Sequence, residues 1–462
     1  MNVVSGGRVI KRIRMMHSLA KAAALLCGIL LFSPTGAFAG KAWEGEIPAA
    51  AKDQTIWTAL IPAMMENDLG YGALAAANRV LNFFGDLPSK ELAYKTLIDV
   101  VDRGYPYDVS PMYVPGDIEP AKGYDFTNSY FLYKGILNLG EGFERWANYY
   151  FKRVDQEKFP KYLFYKAVKA YEAKELEEAK RILDSILKLE YPPERLSFVS
   201  KAARMLARIH FEKQDYTASL EVYDTFLLRL NPVTHTDWLE AAWNLYYLRR
   251  FDEALGYVYN LESKIAGDSV DVEKFILRAL VYKELCASSQ IEALVKSFRA
   301  RFGKAIDGIM GGELLETYAV LDSLDIPENA TYYRFSRTIK NLQREAAKVD
   351  TLPRSMRKVA AYLYESEIKM LKTSAALYRE KAHLASSDYL INLHESLRFL
   401  SFDVAREKFN PDVVFAAPPE ESQELVTKID DRRFRLAWIQ FDDFWRDERM
   451  KYLVRIKSKC SQ

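Results

Sequence analysis

Apolar residues recur at helical spacing along most of this chain. The alanine-rich segment 68–84 predicts a helix, residues 85–89 end it with Ser89 as the cap of the next, and the pattern restarts over 91–101 and near Thr127. Toward the C-terminus the same spacing predicts two long helices, 351–385 and 388–409, separated at Ser386 and Ser387. With 21 Gly and 17 Pro among 462 residues, the composition also favours helices over a turn-rich β protein. The predicted fold class is all-α.

Two stretches and the C-terminal tail depart from this pattern. Residues 104–125 are rich in Pro and Tyr and predict a loop packed on the surface, and residues 410–422 form a Pro-rich break. The tail mixes aromatic and basic residues, among them Trp438, Trp445 and Arg446, and alternation over 452–457 predicts a short strand. These tail residues either cover the apolar end of the helical array or form a docking patch for a partner.

Self-similar segments follow one another at intervals of 35 to 40 residues between Lys161 and Phe302. In the clearest segment, Trp238 is a large residue, Ala241–Ala242 is a pair of small residues and Ala254 is a later alanine. The preceding segment has Ala203, Ala207 and Ala218 at related places, and an earlier one has Leu163, Ala167, Tyr171 and Ala179.

This pattern resembles the tetratricopeptide repeat (TPR) family, in which each repeat is a hairpin of two helices. Small residues let the two helices of a hairpin approach, and large residues fill the space to the next hairpin. The resemblance implies a solenoid over residues 161–302. It is flanked by a helical region at 40–160, long helices at 303–410 and the tail at 411–462.

The resemblance also implies a concave groove lined by the first helix of each hairpin. We expect this groove to bind an extended peptide with acidic and apolar residues, because arginine pairs with carboxylates and aromatic side chains give large contact areas. Part of the set would instead pack between repeats. The candidate residues are Phe164, Tyr171, Arg204, Arg208, Phe211, Trp243, Tyr246 and Tyr247.

The N-terminus has the pattern of a cleavable export signal. A basic segment that includes Arg8 and Arg14 precedes eleven apolar residues at 22–32, and small residues follow at 37–39. Eleven residues are too few to span a bilayer of about 30 Å. We expect cleavage after Ala39, no membrane span in the mature chain, and a periplasmic location.

Charge and cysteine content fit an exported protein that does not bind nucleic acid. Removing the five basic residues of the leader leaves 60 basic and 63 acidic residues, a net charge of −3. Cys286 and Cys460 remain in the mature chain, too few for a disulfide-rich framework, and the sequence leaves open whether they are bonded.

No motif for catalysis, metal or cofactor binding stands out. The chain lacks HExxH, CxxC, GxSxG and phosphate-loop patterns. Glu365 precedes a serine, as the catalytic glutamate of lytic transglycosylases does, but the glycine–methionine run that should follow comes earlier, at 308–311. We therefore expect no catalytic residue, no metal and no cofactor.

The sequence thus favours a non-catalytic periplasmic scaffold that binds another cell-envelope protein. Exported TPR proteins of this appearance occur in gliding-motility, secretion and export complexes, which makes such a complex the expected setting. The alternative is a protein that binds or cleaves cell-wall glycan and has an α-superhelical body.

Overall fold

The computed structural model describes residues 52–83, 86–102, 123–140, 142–189, 196–228, 234–261, 272–324, 326, 329–408, 424–427, 452–458 and 460. The predicted export signal, nearly all of the predicted loop at 104–125, the Pro-rich break and the docking candidates Trp438, Trp445 and Arg446 lie outside these residues. Fifteen α-helices and two short strands form the described part, which confirms the all-α fold class.

The chain divides into two compact units, and the division falls within two of the helices. Of the described residues, one unit comprises those within 15–202 and 330–380, and the other comprises those within 203–329 and 381–462. The helices are α1 Gln54–Glu66, α2 Gly70–Phe83, α3 Leu87–Asp102, α4 Tyr124–Gly140, α5 Glu144–Phe151, α6 Pro160–Glu172, α7 Leu176–Leu187, α8 Leu196–Glu212, α9 Tyr216–Val222, α10 His235–Tyr247, α11 Phe251–Asn260, α12 Glu273–Glu284, α13 Ser288–Met310, α14 Ala330–Ala346 and α15 Arg354–Lys408.

In the unit formed by residues 15–202 and 330–380, a buried carboxylate from α14 holds the start of α2. Glu345 accepts hydrogen bonds from the backbone N–H groups of Tyr71 at 3.0 Å and Gly72 at 2.8 Å, and from the hydroxyl of Tyr364 at 3.0 Å. A carboxylate here satisfies two N–H groups that the helix leaves unpaired and complements its dipole. Gly72 is required by packing, because a Cβ there would lie 2.2 Å from the Tyr364 hydroxyl oxygen.

The turns within four consecutive hairpins share one backbone geometry. Lys174, Gln214, Arg249 and Cys286 each have a positive φ, between 52° and 66°. The residue after each of these donates its backbone N–H to the carbonyl five residues earlier, as Asp215 does to His210 at 2.9 Å. This is the left-handed helix ending of a Schellman-type motif. Its recurrence every 35 to 40 residues follows the predicted repeat and links α6 to α7, α8 to α9, α10 to α11 and α12 to α13.

The C-terminal segment adds a two-stranded sheet to the other unit. β1, Glu424–Thr427, pairs antiparallel with β2, Tyr452–Arg455, and Leu425 stands opposite Val454. β2 agrees with the strand predicted from alternation. It packs on α11 at Gly256, where a Cβ would lie 1.8 Å from the carbonyl oxygen of Tyr452. A disulfide joins Cys286 to Cys460, with their Cα atoms 5.1 Å apart.

The structure corrects three predicted helix boundaries. Helix α15 continues without a break through Ser386 and Ser387, where two helices were predicted. Both hydroxyls donate to backbone carbonyls, and Ser386 also accepts a bond of 2.9 Å from the buried Asn329 side chain, so neither serine interrupts the helix. Helix α3 begins at Leu87, because the Asp86 carboxylate caps it by accepting from the Ser89 N–H at 3.0 Å. Helix α4 begins at residue 124, three residues before Thr127.

Candidate partner-binding site

A continuous cluster of aromatic rings covers the facing ends of α8 and α10. The rings of Tyr216 and Tyr247 stack with centroids 4.6 Å apart and an interplanar angle of 11°. Phe211 lies edge-on to both, at 5.3 Å from Tyr216 and 5.6 Å from Tyr247. Phe211, Tyr216 and Tyr247 are half-buried, so the cluster stabilises the contact between hairpins and also presents aromatic surface to solvent.

The cluster continues into a surface pocket between α10 and α12. The pocket has a volume of about 180 Å³, and its lining consists of Trp243, Tyr246, Tyr247, Arg249, Phe251, Leu280 and Glu284. Trp243 is fixed in place, since it is buried and its indole N–H donates to the carboxylate of Glu273. Tyr246 and Phe251 are half-buried, with ring centroids 6.0 Å apart.

Charged groups meet the aromatic rings at one side of the pocket. Burial raises the pKa of Tyr246, and the nearby Glu284 carboxylate, to which its hydroxyl is hydrogen-bonded, raises it further. Glu284 also lies 4.0 Å from the guanidinium of Arg249, whose side chain is 79% exposed. The pocket therefore combines aromatic walls with a partly exposed carboxylate and a neutral tyrosine hydroxyl.

The two predicted groove arginines hold carboxylates of their own chain. Arg204 donates to both oxygens of Asp237, at 2.6 and 2.9 Å, and the Asp237 side chain is 2% exposed. Arg208 donates to Glu240, with its Nη2 atom 2.8 Å from Oε1, and the hydroxyl of the buried Tyr223 also donates to Glu240. The expectation that these arginines receive acidic residues of a partner is thereby corrected, because α10 already supplies both carboxylates.

Proton equilibria in this network follow from the ion pairs. Burial lowers the pKa of Arg208, but the carboxylate of Glu240 outweighs burial and raises it. Burial raises the pKa of Tyr223, and the neighbouring carboxylate of Glu240 raises it further. At neutral pH Arg208 is therefore charged and Tyr223 neutral. The buried positive charge is compensated by the carboxylate, as buried charges in proteins generally are.

The structure separates the eight predicted groove residues into three groups. Phe164 is buried in the core of the unit that includes α6, and Tyr171 is half-buried on the same helix, with the Lys174 ammonium 5.5 Å from its ring centre. Arg204 and Arg208 join neighbouring hairpins. The other four, in the second unit, form the aromatic cluster and the pocket: Phe211, Trp243, Tyr246 and Tyr247.

Sequence reasoning missed the groups that complete this site. Asp237 and Glu240 follow their arginines by 33 and 32 residues, slightly less than one repeat, so a search for opposite charges two or three residues short of the repeat would have found both pairs. Phe251 and Glu284 were missed because they are the first residue of α11 and the last residue of α12, outside the positions that the repeat pattern assigns to a groove.

Among the described residues, no group of three or more His, Cys, Asp and Glu side chains is placed to hold a metal ion. In the same part of the chain, no helix is long and apolar enough to cross a membrane. Glu365, the glutamate considered for glycan cleavage, is exposed on α15.

Comparisons with known proteins add little beyond the geometry. No family model matches the chain, and no curated protein matches it significantly. Among solved structures, the apo form of RapI is similar over 78% of this chain and 99% of its own, at 12% identity and a TM-score of 0.35. A likeness at that level assigns neither a function nor a partner to this chain.

Proposed function

We propose that this protein is a non-catalytic scaffold of TPR-like hairpins that binds another cell-envelope protein. The observation that carries the proposal is the aromatic surface formed by Phe211, Tyr246 and Tyr247 on successive hairpins, which ends at the pocket between α10 and α12. Half-exposed aromatic side chains on rigid helices are typical anchors of protein interfaces, because they bury large areas at a small entropic cost.

The proposed location is the periplasm, reached by export and cleavage after Ala39. Two observations support it: the basic and apolar pattern of residues 1–39 and the disulfide between Cys286 and Cys460. Disulfides persist in oxidising compartments such as the periplasm and are rare in the cytosol. The proposed setting is a motility, secretion or export complex, by analogy with exported TPR proteins.

Crosslinking in intact cells followed by affinity capture of the full-length protein tests this proposal. The variant Tyr246→Ala/Phe251→Ala removes two rings of the pocket without touching the buried ion pairs. The control is Tyr378→Ala, which removes a tyrosine that is 39% exposed and stacked on Phe335 at 5.7 Å, outside the site. Circular dichroism verifies that both variants retain their helices.

We expect a defined envelope protein to be captured by the wild type and by Tyr378→Ala, and to be lost from the double variant. Capture that is unchanged in the double variant would show that the aromatic surface is not the binding site. Capture of cell-wall glycan in place of any protein would contradict the scaffold function.

A further inference from the structure

The pocket between α10 and α12 has the size of one side chain. Its volume of about 180 Å³ lies below the roughly 300–1,000 Å³ of sites that hold drug-sized ligands. A single long side chain of a partner fits this space, whereas a cofactor or a folded peptide segment does not.

The lining of the pocket favours a positively charged occupant. Trp243, Tyr246 and Phe251 contribute aromatic rings, whose faces are negative and attract cations, whereas Tyr247 is stacked against Tyr216 and Trp243. Glu284, which is hydrogen-bonded to the hydroxyl of Tyr246, contributes a carboxylate whose side chain is 39% exposed. The rings also offer apolar contact to the methylene groups of a lysine or an arginine.

Arg249 shows that the carboxylate attracts a cation and that its present partner is loosely held. Its guanidinium lies 4.0 Å from Glu284 while its side chain is 79% exposed. By contrast, the structural arginine Arg204 is 18% exposed and 2.6 Å from Asp237. Exposed ion pairs contribute little to stability, so replacing Arg249 by another cation costs little.

We infer that this pocket receives an arginine or lysine side chain of the partner protein, which displaces Arg249 from Glu284. The inference rests on the proposed function, since it names the chemistry of the partner at the site of that function. It also changes the expected partner: the segment that binds here carries a basic residue at its anchor, where the sequence favoured an acidic one.

The test measures binding of small probes to the full-length protein by saturation-transfer NMR. The first probe is Nα-acetyl-arginine amide, and its neutral counterpart is Nα-acetyl-citrulline amide, which has nearly the same shape without the charge. We expect the arginine probe to bind with a Kd of millimolar order and the citrulline probe to bind about tenfold more weakly.

Three variants locate the probe. Glu284→Gln should weaken binding of the arginine probe about tenfold, because it removes the carboxylate and keeps the shape. Arg249→Gln should strengthen binding about two- to fivefold, because it removes the competing cation. Glu253→Gln is the matched control: this glutamate pairs with Arg250 at 2.6 Å, does not line the pocket, and should leave binding unchanged.

Several results would overturn the inference. These are equal binding of the two probes, no binding of the arginine probe at any soluble concentration, or weaker binding in Arg249→Gln. Preferential binding of Nα-acetyl-glutamate amide would show that the pocket takes an anion. Envelope capture separates this inference from the proposed function: a captured partner without probe selectivity overturns only the pocket assignment. Selectivity without any captured protein overturns the scaffold function, and with it the partner side chain as the occupant, although the pocket then still prefers a cation.

Discussion

Replacing Glu240 by glutamine tests whether the groove arginines are structural. The Glu240 carboxylate, 10% exposed, accepts hydrogen bonds from Arg208, whose side chain is 23% exposed, and from Tyr223. The glutamine keeps the shape but leaves the guanidinium charge without a counterion in a mostly buried place. Breaking a buried pair in this way costs about 3–5 kcal/mol, and we expect the lower end, about 3 kcal/mol, because Arg208 retains some contact with water.

A loss of that size is readily measured. For a folding unit of about 150–250 residues, 1 kcal/mol shifts the melting temperature by about 2–4 °C, so Glu240→Gln should lower Tm by about 6–12 °C. Urea unfolding followed by circular dichroism at helical wavelengths gives the free energy. The control is Glu253→Gln, which breaks the exposed pair with Arg250 and should cost less than about 1 kcal/mol.

Removing all three polar partners together should restore most of the loss. The triple variant Arg208→Met/Glu240→Leu/Tyr223→Phe leaves no buried charge or unpaired hydroxyl at the centre of the network, so its stability should lie within about 1–2 kcal/mol of the wild type. It should also retain its envelope partner. If Glu240→Gln is no worse than Glu253→Gln, or if the triple variant folds normally but loses its partner, Arg208 belongs to the binding surface and the structural assignment is wrong.

Three further predictions concern the C-terminal segment and the core. The variant Cys286→Ser/Cys460→Ser should have a free energy of unfolding about 2–4 kcal/mol lower than the wild type, because the disulfide closes a loop with a sequence separation of 174. In urea unfolding, dithiothreitol should destabilise the wild type and leave the variant unchanged. Gly256→Ala should lower the free energy of unfolding by about 1–3 kcal/mol, although alanine favours helices, because the added Cβ meets the backbone of Tyr452. Slow amide hydrogen exchange at 452–455 in the variant would contradict this. Burial raises the pKa of Tyr165 from 10.0 to about 12, so the stability that its phenol contributes is complete below pH 10 and is lost as pH rises toward 12, by at most about 3 kcal/mol. Tyr165→Phe should flatten that alkaline decline in urea titrations.

Local signals in the sequence predicted the hairpins because the forces that form them are local. Small residues such as Ala242 and Ala254 allow close approach of neighbouring helices, and both are fully buried as the repeat pattern requires. The turns that join the helices share one left-handed geometry although their residues differ, from Lys174 to Cys286. No glycine marks them, so this regularity is visible only in the backbone.

Features that depend on distant residues were not predictable in the same way. Ser386 resembled a break, yet its hydroxyl is satisfied by Asn329, 57 residues away in sequence. Arg204 was expected to bind a carboxylate of a partner, whereas the carboxylate it binds in the structure belongs to Asp237 of the next hairpin. In both cases only the tertiary structure showed which group satisfies the side chain.

The C-terminal segment and the proposed binding pocket involve the same two helices, which bears on how strongly the pocket binds. β2 packs on α11, whose first residue, Phe251, lines the pocket. The disulfide attaches Cys460 to Cys286, two residues after Glu284, so the segment is also tied covalently to the end of α12. Fixing two of the three helices that line the pocket, α11 and α12, before a partner arrives lowers the entropy that binding must remove. A pocket that holds a single side chain buries little surface area when the partner binds. The preorganised helices therefore allow it to select one charged group.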